Sequence, residues 1–156
     1  MNGTQQRPPA PQDRYPRRLR LEHPTQHGIL LDHTRDYRPL TNWCRSALPS
    51  HGARLSKVAR LLVENSHQHS RSGLPGGTVR VVLDQSRHLL PHLFVTDQGP
   101  LEANTIDYPR LNARDPRSGL AVVEKLSVYW DFSWDWDGQR IKSTTMQVVF
   151  DLTADR

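Results

Sequence analysis

Long apolar runs are missing from this chain: nowhere do about 18 apolar residues follow one another, and no signal-peptide pattern opens it. The expectation is therefore a soluble, cytoplasmic protein. Cysteine is almost absent too. Cys44 stands alone, which excludes an internal disulfide framework and suits a reducing compartment. No cysteine pair offers a zinc site, and His67 and His69, two residues apart, face different ways on a helix. Acidic residues are scarce only at the beginning. Residues 1–20 hold Arg7, Arg14, Arg17, Arg18 and Arg20 against Asp13, a local charge of +4 out of +5 for the whole chain. The remainder is near neutral and carries no basic stripe, which argues against nucleic acid as the partner of the folded body.

What is present fits one domain, since 156 residues allow a single sizeable core. The Pro-, Gln- and Arg-rich opening reads as a disordered leader, residues 1–20, and the domain follows over 21–156. Residues 19–31 have room for an edge strand. Leu40, Trp43, Cys44 and Ala47 recur at helical spacing and predict a helix over 36–48, closed by Pro49-Ser50-His51-Gly52. A second helix is expected over 53–70, with Leu55, Val58 and Leu62 on its apolar face. The period then changes to two. Val79, Val81 and Leu83 alternate in one strand, and 91–96 reads as its partner. Residues 101–116 show no period and form a long loop of the kind that often serves as a lid. A third helix begins at Ser118 or Gly119. Trp130, Phe132 and Trp134 alternate as an expected aromatic core face, and Asp137-Gly138 signals a hairpin leading into 144–152. Helices and hairpins in this order predict an α+β domain, a two-layer sandwich with helices on one face of a largely antiparallel sheet.

Three small features stand in sequence on this framework. Asn65 and His69, four residues apart, continue the apolar line of the second helix, which predicts an amide and an imidazole facing inward. A buried, unpaired polar group costs about 1–3 kcal/mol, so the amide needs a partner from the fold, a ligand or a metal. Asp97-Gln98-Gly99 follows a strand, and Arg117-Ser118-Gly119-Leu120 opens a helix. A strand-end carboxylate can accept from an adenine amino group, a glycine admits close backbone approach, and a helix start presents amides to phosphate. An amide oxygen is a hard ligand suited to Mg²⁺. Taken singly, each of these is also an ordinary turn, cap or core amide.

Together they resemble a known family. Leu-Leu-Val-Glu-Asn-Ser-His-Gln-His-Ser-Arg-Ser-Gly, ending at Gly73, is similar to the N-box helix of the GHKL ATPase superfamily, and most of all to small bacterial relatives of the anti-sigma-factor serine kinases. Val95-Thr96-Asp97-Gln98-Gly99-Pro100 resembles the G1 box, and Arg117-Ser118-Gly119-Leu120-Ala121 the G2 motif. The likeness spans about residues 36–152. It implies a Bergerat fold holding ATP and Mg²⁺, with Asn65 on the metal, Asp97 on the adenine amino group and Gly99 along the base. It also implies Arg117, Gly119 and Leu120 at the phosphate end, His69 as pocket support, and Gln147 at the adenine-contacting position of the last strand. Thr145 lies two residues from Gln147 on the same face. The family's general-base glutamate falls on Leu61, which cannot take a proton. Ala121 replaces a second glycine. The implied function is a cytoplasmic ATP-binding regulator with weakened catalysis, acting through a sigma factor or an anti-sigma antagonist, with a homodimer also open. The alternatives are an active serine/threonine kinase with a relocated base, and a nucleotide-free interaction domain.

Overall fold

In the computed structural model, the described residues are 14–101 and 119–154. Six strands form one sheet: β1 (Arg17–Leu19), β2 (Gln26–Asp32), β3 (Thr78–Asp84), β4 (His92–Asp97), β5 (Tyr129–Asp137) and β6 (Arg140–Val149). Their spatial order is β1-β2-β3-β4-β6-β5, and every neighbouring pair is antiparallel. Three helices complete the domain: α1 (Arg38–Ala47), α2 (Gly52–His69) and α3 (Gly119–Leu126). The chain is thus α+β, compatible with two layers. No helix among the described residues is long and apolar enough to cross a membrane.

The alternation of the central strands decides which face is covered. Ile29, Leu31, Val79, Val81, Leu83, Leu93, Val95, Met146 and Val148 are buried and meet Leu40, Trp43, Leu55, Val58 and Leu62 from the helices. Cys44 lies inside this core. The residues between them, such as Leu30, Arg80, Thr96 and Thr145, stay half-buried or exposed on the other face of the sheet. Burial of this apolar set, at about 25 cal/mol per Å², holds the two layers together.

Three expectations need correction. The segment read as leader up to residue 20 already contains β1, paired with β2 through Arg17–Leu30 and Leu19–Gly28. Phe132 is 36% exposed, and Trp130 and Trp134 are only half-buried. They share the helix-side face through their pairings with Met146, Val148 and Thr144, but β5 is the last strand of the sheet, so that face is incompletely covered. The third concerns the histidines. His69, the last residue of α2, is exposed, and the buried histidine is His67.

His67 is held from both sides. Its Nε2 lies 3.0 Å from the Asp32 carbonyl and therefore carries the proton, leaving Nδ1 to accept from the Tyr37 hydroxyl at 2.9 Å. Burial is the largest influence on its pKa and lowers it from the ordinary 6.5. The Asp32 carbonyl opposes this, while Arg35 adds to it; the Asp32 charge raises the value and His33 lowers it by smaller amounts. The unfolded chain then binds a proton at a higher pH than the native one. Stability from this site is complete above the unfolded pKa and falls as the pH drops below it. The urea midpoint should fall between about pH 7.5 and 5.5, and should fall less in His67→Gln; equal falls in the two proteins would rule the assignment out.

Candidate functional site

The candidate site grows from the end of β4. Asp97 is the last residue of the strand, on the helix-side face, and only 2% exposed. Its Oδ1 accepts from the Gly99 amide at 2.8 Å and the Thr144 amide at 3.3 Å. The carboxylate therefore caps the turn and ties β4 to β6. Gly99 has φ +85°, and a Cβ there would stand 2.5 Å from the Ile141 carbonyl oxygen and 2.8 Å from the Arg71 guanidinium. Only glycine meets both demands.

Arg71 locks the same turn from outside. It follows α2 in the short 3-10 turn Arg71–Gly73. Its Nε donates to the Gln98 carbonyl at 2.8 Å and its Nη2 to the Ile141 carbonyl at 2.9 Å, while its amide donates to the Gly99 carbonyl. Buried Ser70 and Ser72 support it. The Ser70 hydroxyl donates to the Ser66 carbonyl and accepts from the Ser72 amide, and the Ser72 hydroxyl accepts from the Gln98 amide at 2.9 Å. Arg71 and these serines lie within the N-box-like string, but the resemblance gave them no role. The Ser-rich stretch after α2 was the available signal, because short hydroxyls favour turns and caps.

Across the sheet, one rung runs Asp97, Thr144, Trp134. The Thr144 hydroxyl and the Trp134 indole N–H are both buried, and neither finds a hydrogen-bond partner among the described residues. Trp134 also stacks with its neighbours, its ring centroid 5.3 Å from that of Phe132 and 6.0 Å from that of Trp136. Gln147 belongs elsewhere. Side chains along a strand alternate, so an odd-numbered step from Thr144 moves to the opposite face. Gln147 bonds to His92 Nδ1 at 3.0 Å on that face, and Thr145 to Thr96 at 2.9 Å. The position facing Asp97 is Thr144, not Gln147 or Thr145.

The helices approach from the other layer. Gly119 opens α3, and a Cβ there would lie 3.6 Å from Leu61 on α2, in ordinary contact. Leu61 is half-buried against the core, with half-buried Asn65 one turn further along the same flank of α2. Leu120 and Ala121 are buried in the first turn of α3. Glu64 pairs with Arg60 at 2.7 Å. Leu61 thus meets Gly119, while His69 lies exposed at the helix end and Gln147 on the far face. Arg117, and the expected lid at 101–116 from residue 102 onward, lie outside the described residues. Among the described residues no three His, Cys, Asp or Glu side chains group to hold a metal, so a metal here would rest on Asn65 and on oxygens of a ligand.

The chain matches no family model, no curated protein and no solved structure. What the local geometry requires is testable directly. Gly99→Ala should cost about 2 kcal/mol or more in chemical denaturation, from the left-handed backbone and the close carbonyl together. A loss under about 0.5 kcal/mol would show that the turn relaxes freely.

Proposed function

We propose that this protein binds an adenine nucleotide with Mg²⁺ in a Bergerat-type site and acts as a regulator through a protein partner, in the manner of the anti-sigma-factor serine kinases. One observation carries the reading: a buried carboxylate, Asp97, shares a rung with a buried hydroxyl, Thr144, that has no partner among the described residues. A buried hydroxyl without a partner is costly, and a ligand edge beside Asp97 that bonds to it would satisfy it. Gly99 supports the reading through its amide, which holds the Asp97 carboxylate in place. Asn65 supplies an amide oxygen on the α2 flank for Mg²⁺, and Gly119 and Leu120 put a helix start opposite Leu61. In such a site the nucleotide's triphosphate would bring the negative charge that holds the metal.

Catalysis is weakened on this reading. Leu61 stands where the family places its base, packed against the core and near Gly119. Glu64, the nearest carboxylate in sequence, is held by Arg60. Both observations favour a nucleotide-dependent binding protein over an active kinase with a relocated base.

Thr144→Val separates ligand from fold. The hydroxyl satisfies no described partner, so removing it should leave the urea midpoint equal or higher. ATP binding in the presence of Mg²⁺, followed by calorimetry, should weaken by about fivefold or more. No heat from the wild type at millimolar ATP, or unchanged affinity in the variant, would overturn the proposal. Leu61→Glu should add measurable ATP hydrolysis to a protein that otherwise has next to none; strong hydrolysis in the wild type would contradict the role given to Leu61.

A further inference from the structure

One sizeable concavity among the described residues is not on the helix side. It has a volume of about 570 Å³ and opens on the opposite face of the sheet, across the ends of β2, β3, β4 and β6. Strand pairing places Leu30, Arg80, Thr96 and Thr145 on one continuous rung there. Arg71 and Lys142 rim the same hollow.

Its charge is one-sided. Neither ion pair seen among the described residues, Arg38–Asp36 and Arg60–Glu64, involves Arg71, Arg80 or Lys142. Asp97 contributes to the wall, but its strand position turns the carboxylate to the helix side, where the Gly99 and Thr144 amides hold it. Arg71 spends its Nε and Nη2 on carbonyls, which fixes the guanidinium in place with its charge intact. The Thr78 and Ser143 hydroxyls line the floor, and Thr96 and Thr145 bond to each other at 2.9 Å. One fixed cation and two exposed ones beside hydroxyl-bearing residues suit an anion with many acceptor oxygens. The hollow is larger than a bare anion needs and lies in the size range of small-molecule pockets. Leu30 and the aliphatic stems of the cationic side chains offer apolar contact to the rest of such a ligand.

We propose that this outer-face hollow is a second binding site, for a small organic phosphate whose ester group lies over Leu30 and whose phosphate is held by Arg80, Lys142 and Arg71. The site is separate from the nucleotide pocket and does not depend on it: the two lie on opposite faces of one sheet.

Amide NMR titration of the full chain with phenyl phosphate tests it. Saturable shifts should centre on Thr78, Arg80, Thr96, Gln98 and Ser143. The double variant Arg80→Gln, Lys142→Gln, both exposed positions, should weaken binding about tenfold or more, as expected for lost charge-assisted contacts. Arg60→Gln, a cation on α2, should leave it unchanged, and benzyl alcohol should not saturate. Shifts centred on Gly119, Leu120 and Thr144 would place the ligand on the helix side and overturn the proposal. So would unchanged affinity in the double variant, or an equal loss in Arg60→Gln.

Discussion

The turn after β4 is pinned from both sides by opposite charges, and the placement of everything near it follows from that. Asp97 draws in the amides of Gly99 and Thr144 from the helix side. Arg71 draws in the carbonyls of Gln98 and Ile141 from the outside. Charge-assisted bonds of this kind are about twice as strong as neutral ones. They join the end of α2, the end of β4 and the start of β6, three segments far apart in sequence. Without the turn the Asp97–Thr144–Trp134 rung would lose its register, and the rim of the outer hollow would lose Arg71.

The division of labour between the two sheet faces is a direct result of the two-residue period. Asp97 and Thr144 point into the helical layer, where desolvation makes the unpartnered Thr144 hydroxyl costly. Their immediate neighbours Thr96 and Thr145 point the other way, where they bond to each other and remain partly exposed. A single backbone segment thereby serves both the proposed nucleotide pocket and the proposed outer site.

Much of the fold was legible because period reports burial. Leu40, Trp43 and Cys44 at helical spacing marked α1, and the alternation of Val79, Val81 and Leu83 marked β3; both formed within about two residues of expectation. Period says which side chains share a face, however, not whether anything covers that face. That is why Phe132 and its neighbours read as core while lying on the last strand. Asp97 and Gly99 were legible as a turn, since an Asx residue and a glycine with positive φ are its chemistry. Thr144 was not, because the resemblance pointed to Gln147, three residues further on, and an odd step along a strand reverses the face. His67 was hidden for another reason. Its burial depends on Tyr37 and the Asp32 carbonyl, contacts across 30 and 35 residues that no local pattern encodes.

The lone cysteine has a consequence for how the protein meets its surroundings. Cys44 has no exposed surface, and burial pushes its thiol up to about 12. At neutral pH only about one molecule in a hundred thousand would then carry the thiolate, the form that reacts with oxidants, alkylating agents and soft metals. The thiol's reactivity is thereby held down for as long as the core stays folded around it.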